Sequence, residues 1–293
     1  MRDGTGGGAS AHIRGLMPSL APAERRVAEA VVADPGGASR LSITELATAC
    51  DTSETTVVRF CHAVGFTGYR QLRLSLAVES GRRPQGQEQE VGGDIAPDDD
   101  LAQVVAKVAF TDARAIEETA EQLDLEVLGA VADAVAAAPR IELFGVGASG
   151  VVTADLEQKL RRIGRLAHAC SDPHLAMTSA AVLVPGDVAV GVSHTGTTRD
   201  TVDPLGQARE RGATTVAITN FPRSAITEVV DHVLTTAARE TTFRSGAMAS
   251  RLAQLTVVDC LLIAVAQRTY LETRGALELT LESVRGRRYG DDT

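Results

Sequence analysis

The stretch 187-DVAVGVSHTGTTRD-200 decides the fold of the larger part of the chain. Its first half is a continuous apolar run, which is typical of a strand buried on both faces of a parallel sheet. Its second half gathers one serine and three threonines around Gly196, directly before a stretch with a helical pattern. A buried strand that ends in hydroxyls and backbone amides at a helix start predicts a site for a small anion at the carboxyl edge of a sheet.

Runs of the same kind recur on both sides of this stretch. The pattern predicts strands over 140–146, 166–170, 187–192, 214–219 and 231–236, separated by helices over 150–163, 174–182, 199–211 and 223–230. A helix over 101–138 precedes them, and a long apolar helix over about 247–270 closes the unit. Apolar strands that alternate with helices predict an α/β fold, here a doubly wound, five-stranded parallel sheet.

The first 80 residues show only helical periodicity. The pattern predicts helices over 22–33, 42–50, 53–64 and 68–80. The stretch 81–100 is rich in Gly, Pro, Gln and acidic residues, and this composition cannot form a core. The predicted domains are therefore an all-α domain over 1–80, a linker over 81–100 and the α/β domain over 101–285. Residues 1–12 lack the apolar centre of a signal peptide and are interpreted as a disordered tail.

Charge is distributed unevenly along the chain. Residues 1–83 hold ten basic and eight acidic residues, a net charge of +2, whereas the remainder holds 19 basic and 30 acidic residues, a net charge of −11. Nucleic-acid contact is therefore expected only in the N-terminal part. No apolar run approaches the roughly 20 residues of a membrane span, and none of the four cysteines forms a CxxC pair. We expect a cytoplasmic protein without a membrane, metal or cofactor partner.

The predicted helices 42–50 and 53–64 are joined by about three residues. Ser42 heads the first helix with Glu45 three residues on, which is a capping-box pattern, and Ser53 heads the second. The second helix offers Val57 and either Phe60 or Cys61 to a core, and this sequence pattern leaves the choice open. Its opposite face carries Thr55, Thr56, Arg59 and His62. Hydroxyls and a guanidinium suit phosphates and base edges in a major groove. A plain helical hairpin with a solvated polar face is the alternative.

The strings 42-SITELA-47 and 65-GFTGY-69, with Arg59-Phe60 between them, resemble the helix-turn-helix of RpiR-type bacterial transcription regulators. In that family this domain precedes a sugar-isomerase (SIS) domain. The resemblance implies that DNA is bound by Ser42, Ser53, Thr55, Thr56, Arg59, His62 and Arg70. The turn departs from the family pattern at Cys50-Asp51-Thr52, although Asp tolerates a left-handed backbone.

A second loop, 145-GVGASG-150, follows the first predicted strand. Its letters match the dinucleotide motif GxGxxG, but the acidic residue expected about 20 positions later appears only as Asp172, slightly late. The two loops together instead resemble the sugar-phosphate site of SIS domains. This implies ligand contacts from Gly147, Ala148, Ser149, Ser193, His194, Thr195, Gly196, Thr198 and Glu240. For Glu240 and the nearby Arg244, a solvated loop is the alternative.

We interpret the chain as a transcription regulator in which a phosphorylated sugar alters operator binding, working as a homodimer or homotetramer. The rival hypothesis is a sugar-phosphate isomerase with an accessory helical domain. His194 lies inside the ligand loop, but no pairing of a histidine with a carboxylate in the sequence requires catalysis. A third alternative is an α/β protein with a helical bundle that binds neither DNA nor sugar.

Overall fold

The computed structural model describes residues 8–81, 94–240 and 248–285. The chain forms two compact units, each built from several segments. The first unit contains Met1–Leu123, Asn220–Arg223 and Thr235–Ala253, and the second contains Asp124–Thr219, Ser224–Leu234 and Gln254–Thr293. The helix that follows the predicted linker therefore belongs to the first unit.

The first unit is mainly helical. Its helices are α1 (Ala9–Leu16), α2 (Pro22–Ala33), α3 (Pro35–Arg40), α4 (Ile43–Ala49), α5 (Glu54–Ala63), α6 (Tyr69–Gly81) and α7 (Leu101–Gln122), with a 3-10 turn at Met17–Ser19. Its core draws buried side chains from α1 to α6, among them Ile13, Val27, Leu46, Phe60 and Leu72.

One prediction for this unit is wrong. The expected N-terminal tail forms α1 from Ala9 onward: Ile13 and Leu16 are buried in the core, and the backbone N–H and hydroxyl of Ser10 donate to Glu79 Oε2 at 3.0 and 3.1 Å. Helix α2 ends at Ala33 as predicted, and the residues that follow it form the short helix α3. There Pro35 occupies the first turn and Asp34 accepts a hydrogen bond from the Gly37 N–H at 2.7 Å.

The second unit has the predicted alternation of strands and helices. Its elements are α8 (Leu125–Ala137), β1 (Ile141–Phe144), α9 (Ala148–Arg162), β2 (Ala167–Cys170), α10 (Pro173–Ala181), β3 (Val188–Val192), α11 (Arg199–Glu210), β4 (Thr214–Thr219), α12 (Ala225–Glu228), β5 (His232–Thr235), α13 (Ala249–Arg268, whose first turn belongs to the first unit) and α14 (Tyr270–Ser283). The strands form one parallel sheet in the order β2-β1-β3-β4-β5. This flavodoxin-like order confirms the predicted fold class.

Two helix predictions for this part of the chain are wrong. The stretch 101–138 is two helices, because Leu123 takes an extended backbone and Asp124 starts a new helix by accepting from the N–H groups of Glu126 and Val127 at 2.9 and 3.1 Å. The long apolar helix does not close the unit, because α14 follows it after a break at Thr269.

Helix α13 is long and apolar enough to cross a membrane by length and composition, and 44% of its apolar window is buried inside the protein. A core helix passes the same test. Within the second unit Val257, Leu261 and Val265 are fully buried, and Asp259 forms an ion pair with Lys159 of α9. These contacts pack one side of α13 into the second unit.

Candidate functional site

Helices α4 and α5 begin with the caps that the sequence predicts. Ser42 Oγ accepts from the Glu45 N–H at 3.2 Å, while Glu45 Oε2 accepts from the Ser42 N–H at 2.7 Å. Ser53 Oγ accepts from the Thr56 N–H at 3.2 Å. Between the helices Asp51 has a φ of +46°, the left-handed conformation expected for the turn. The two helix starts are therefore fixed by side chains of the module itself.

Arg26 fixes the turn from outside the two helices. This residue of α2 donates from Nε to the carbonyl of Cys50 at 3.2 Å and from its guanidinium to the carbonyl of Asp51 at 2.9 Å. Sequence reasoning did not find this role, because no local pattern marks a partner more than 20 residues away.

Helix α5 separates its faces as predicted. Val57, Phe60 and Cys61 are all fully buried, so the structure uses both of the residues that the sequence left as alternatives. Burial raises the pKa of the Cys61 thiol to about 12, which keeps it protonated at neutral pH. On the opposite face the Arg59 side chain is 61% exposed, although its Nε lies 3.4 Å from Glu24 Oε1.

The other predicted DNA contacts fall into two groups. Thr55 and Arg70 are exposed on the surface, as Arg59 is. Ser42, Ser53 and Thr56 take part in the helix caps, and His62 Nε2 lies 3.1 Å from the carbonyl oxygen of Thr67. The exposed face of α5 and the start of α6 therefore form the candidate nucleic-acid surface, with Arg59 as its central cation.

The predicted ligand loops emerge side by side from the sheet. Strands β1 and β3 are parallel neighbours, with Ile141 opposite Val188 and Phe144 opposite Gly191. The loop 145–147 follows β1 and leads into α9, and the loop 193–198 follows β3 and leads into α11. The order of the strands reverses between β1 and β3, and this switch point is where open α/β sheets bind ligands.

The first loop requires glycine for its backbone conformation. Gly147 has φ +58° and ψ −129°, and a Cβ there would meet no atom within 4 Å among the described residues. Glycine is therefore required by the dihedral angles and not by crowding. Ala148 and Ser149 are half-buried in the first turn of α9. Within the described part of the chain, no side chain caps this helix start.

The second loop is ordered by its own hydroxyls. Ser193, only 3% exposed, accepts from the Gly196 N–H at 3.1 Å and donates to Thr198 Oγ1 at 3.3 Å. Thr195 Oγ1 accepts from the N–H and the hydroxyl of Thr197 at 3.3 and 3.0 Å. These bonds shape the loop before any ligand binds.

Gly196 is held against α12. Its φ is +65°, and a Cβ at this position would lie 2.1 Å from Ser224 Oγ. The N–H of Ile226 donates to the Gly196 carbonyl at 2.9 Å. Ser224 was not among the predicted site residues; its position at a helix start was the available signal. The carbonyl of His194 accepts from Thr219 Oγ1 at 3.2 Å, which fixes the other side of the loop.

The start of α11 resembles that of α9. Its N-cap residue is Thr198, and its side chain makes no capping hydrogen bond within the described residues. Two neighbouring helix starts thus offer backbone N–H groups and the positive ends of two helix dipoles at one edge of the sheet. With the hydroxyls of both loops, this arrangement can bind an anionic group of phosphoryl size.

Glu240 belongs to the first compact unit, whereas the two loops belong to the second. Its Oε1 accepts from the Ser250 N–H at 3.0 Å, so the carboxylate caps the start of α13. Its Oε2 is buried and has no hydrogen-bond partner among the described residues. Arg244 lies outside the described residues.

A helix-turn-helix module joined to an α/β unit is the architecture of a class of transcription regulators. Residues 7–82 match the helix-turn-helix domain of the rpiR family, and residues 135–264 match the SIS domain. An uncharacterised HTH-type transcriptional regulator of Caldanaerobacter subterraneus subsp. tengcongensis is 40% identical over 92% of this chain and 94% of that protein. The chain therefore belongs to the RpiR family of HTH-type transcriptional regulators, and the resemblance seen in the sequence is confirmed.

Solved structures agree with this assignment. The Vibrio vulnificus NanR protein complexed with ManNAc-6P is 29% identical, covers 96% of this chain and 100% of its own, and has a TM-score of 0.61. The sugar isomerase domain of an RpiR transcription factor from Sphaerobacter thermophilus is 27% identical and covers 61% of this chain and 99% of its own, with a TM-score of 0.57.

Proposed function

We propose that this protein is a cytoplasmic transcription regulator whose SIS unit binds a phosphorylated sugar and thereby changes the operator affinity of the helix-turn-helix module. The genes it controls would belong to carbohydrate metabolism. The observation that carries the proposal is the pair of uncapped helix starts at the β1/β3 switch point, lined by the hydroxyls of Ser149, Ser193 and Thr198. The similarity to the Vibrio vulnificus NanR protein complexed with ManNAc-6P supports a ligand of this class.

The chemistry of the two loops favours a phosphoryl group. Backbone N–H groups and hydroxyls donate hydrogen bonds, and each bond to a charged acceptor contributes about 1.5–3 kcal/mol. A phosphoryl group has three terminal oxygens that can accept from both loops at once, and its charge is stabilised by two helix dipoles. An unphosphorylated sugar lacks both advantages, so the site should bind it far more weakly.

The DNA-binding side of the proposal rests on the exposed face of α5. Arg59 and Thr55 on α5 and Arg70 on α6 are exposed, and we propose that the first two contact a major groove and the third a phosphate. We propose that the protein acts as a homodimer or homotetramer, because two recognition helices would then read half-sites about 34 Å apart. Ligand control requires unequal binding of the sugar phosphate to the two operator-binding states, typically by about 1–3 kcal/mol.

The role proposed for the SIS unit is binding and not turnover. Relatives that span nearly the whole chain are named as HTH-type transcriptional regulators, including one of Bacillus subtilis that is 30% identical over 96% of this chain and 98% of that protein. Purified protein should therefore leave aldose and ketose phosphates unchanged. Isomerisation that Ser149→Ala and Thr198→Ala abolish would instead support the isomerase hypothesis.

A thermal-shift screen of the full chain tests the ligand class. Sugar phosphates should raise the melting temperature, whereas the same sugars without phosphate should not. Ser149→Ala removes one charge-assisted hydrogen bond and should weaken the best ligand by about 10-fold or more. The side chain is half-buried at a helix start, so the ligand-free variant should melt as the parent does. Equal shifts from phosphorylated and unphosphorylated sugars would contradict the proposal.

A further inference from the structure

Three metal-ligating side chains meet on one face of the sheet, within the second unit. The parallel register sets Glu142 of β1 beside His168 of β2. Cys170 follows His168 by two residues and therefore points to the same face. His168 Nδ1 lies 3.3 Å from Glu142 Oε2, and Cys170 Sγ lies 3.2 Å from His168 Nδ1 and 3.6 Å from Glu142 Oε2. These atoms thus form a nearly equilateral triangle of nitrogen, oxygen and sulfur.

The triangle is partly enclosed. Glu142 is 5% exposed and Cys170 is 2% exposed, whereas the His168 side chain is 46% exposed. A buried carboxylate is unfavourable unless a partner compensates its charge. The two buried ligand atoms therefore lie inside the protein, and the imidazole leaves a route to solvent.

At most two of the three close pairs can be hydrogen bonds at the same time. With the carboxylate of Glu142 ionised, the thiol of Cys170 supplies one hydrogen and Nδ1 of His168 supplies at most one. Two hydrogens can serve only two of the three close pairs. A cation placed between the three atoms interacts favourably with all of them at once.

The dimensions of the triangle match those of a zinc site. Zinc binds sulfur at about 2.3 Å, nitrogen at about 2.0–2.1 Å and oxygen at about 2.0–2.2 Å with tetrahedral angles. These values place the nitrogen and oxygen ligands about 3.4 Å apart and the sulfur about 3.6 Å from each. The three separations in the protein, 3.3, 3.2 and 3.6 Å, differ from this arrangement by no more than about 0.4 Å.

We propose that Glu142, His168 and Cys170 form a binding site for a zinc-type divalent transition-metal ion, with a water molecule completing its tetrahedron. Imidazole and thiolate ligands select zinc over magnesium or calcium. Ser179 Oγ of α10, 3.7 Å from Cys170 Sγ, is placed to donate a hydrogen bond to the thiolate. The ion joins the edge strand β2 to β1, so its binding should stabilise the folded chain.

Cobalt(II) is the probe that tests this site. The full-length protein is stripped with a chelator and titrated with Co²⁺, which absorbs visibly in tetrahedral sites and gives a near-ultraviolet band with thiolate. We expect one equivalent of Co²⁺ with both signals, displacement by Zn²⁺, and a higher melting temperature with either ion. Cys170→Ser should abolish the thiolate band, and Ser179→Ala should weaken the affinity about 10-fold.

The controls separate this site from the other thiols and from misfolding. Cys260→Ser removes the half-buried cysteine of α13 and should leave the titration unchanged. If Cys170→Ser does not fold, His168→Gln is the second variant, because this side chain is half exposed and its loss should remove binding without unfolding the chain. Folded parent protein that binds no stoichiometric Co²⁺, or a thiolate band that persists without Cys170, overturns the proposal.

Discussion

Two pairs of helix starts, one in each unit of the molecule, differ in how their first N–H groups are bonded. In the helix-turn-helix module, Ser42 and Ser53 accept hydrogen bonds from the first turns of α4 and α5. In the α/β unit, Gly147 and Thr198 occupy the same position before α9 and α11, and within the described residues neither gives a side-chain cap. Ser42 and Ser53 thus cap N–H groups in the first turns of α4 and α5. Gly147 and Thr198 do not cap the first turns of α9 and α11, whose N–H groups can therefore bind a ligand.

A cap typically contributes about 1 kcal/mol, so its absence is a cost to stability unless another acceptor is supplied. Asp124 caps α8 and Asp172 caps α10, whereas Thr269 before α14 gives no side-chain cap among the described residues. A missing cap therefore does not by itself mark a ligand site. The starts of α9 and α11 differ from that of α14 because both lie at the β1/β3 switch point, where we propose that a phosphoryl group takes the place of the caps.

The largest effect is expected from Gly196→Ala. The new Cβ would lie 2.1 Å from Ser224 Oγ on a backbone with φ +65°, and clash and strain together should cost about 2–4 kcal/mol. Melting temperature should fall and the sugar-phosphate response should vanish. Gly206→Ala is the matched control. Gly206 lies inside α11, and its added Cβ would come within 4.0 Å of Val229, which is an ordinary van der Waals contact. This variant should be neutral or stabilising. A ligand response that survives Gly196→Ala would show that the second loop does not form the site.

Arg59→Ala tests the helix-turn-helix module, whose helices α4 and α5 have side-chain caps. Loss of the proposed contact between the Arg59 guanidinium and DNA should weaken operator binding about 10- to 100-fold and leave sugar-phosphate affinity unchanged. Arg274→Ala is the matched control, because its side chain is 62% exposed, close to the 61% of Arg59, and lies on α14. Gel shifts on the promoter region of the gene itself provide the measurement. Equal affinities for the parent protein and Arg59→Ala would exclude α5 as the recognition helix.

The comparison itself is tested by removing one hydroxyl from each kind of helix start. Ser53→Ala should lower the free energy of unfolding by about 1 kcal/mol, because it leaves the Thr56 N–H without its cap. Thr198→Ala removes the acceptor of the buried Ser193 hydroxyl, so it should also lower the free energy of unfolding by about 1 kcal/mol, but it alone should weaken sugar-phosphate binding about 10-fold. Denaturant titrations with and without ligand distinguish the two variants. If Thr198→Ala binds the sugar phosphate as tightly as the parent protein, the start of α11 does not serve the ligand.

The smallest effect concerns the other end of α5. Burial lowers the pKa of His12 below its ordinary value of 6.5, and its Nε2 lies 3.0 Å from the carbonyl oxygen of Val64. The unfolded chain therefore takes up a proton that the folded chain excludes, and stability should decline as the pH falls below about 6.5. His12→Gln keeps a donor without titrating, so its melting temperature should depend less on pH between 7.5 and 5.5. An identical pH dependence in both proteins would remove His12 as the cause.

Much of the fold was predictable because its signals are local. The apolar runs indicated the five strands, Ser42 and Ser53 indicated the helix starts, and the turn at Asp51 has the left-handed backbone expected of it. The predictions were wrong where contacts with residues distant in the sequence determine the local structure. Residues from Ala9 onward form a helix that packs into the core and binds Glu79 through Ser10, and no local pattern shows these contacts.

The candidate site also has features that the local sequence predicts and others that depend on tertiary contacts. The sequence determined which hydroxyls and glycines follow β1 and β3, because residue type and order along one strand–loop–helix segment are local properties. Only the tertiary structure decided that these loops share one edge of the sheet, that Ser224 packs against Gly196, and that Glu142, His168 and Cys170 meet. Strand register and helix packing bring together residues far apart in the chain, and these depend on burial of the whole core and not on the pattern of any one segment.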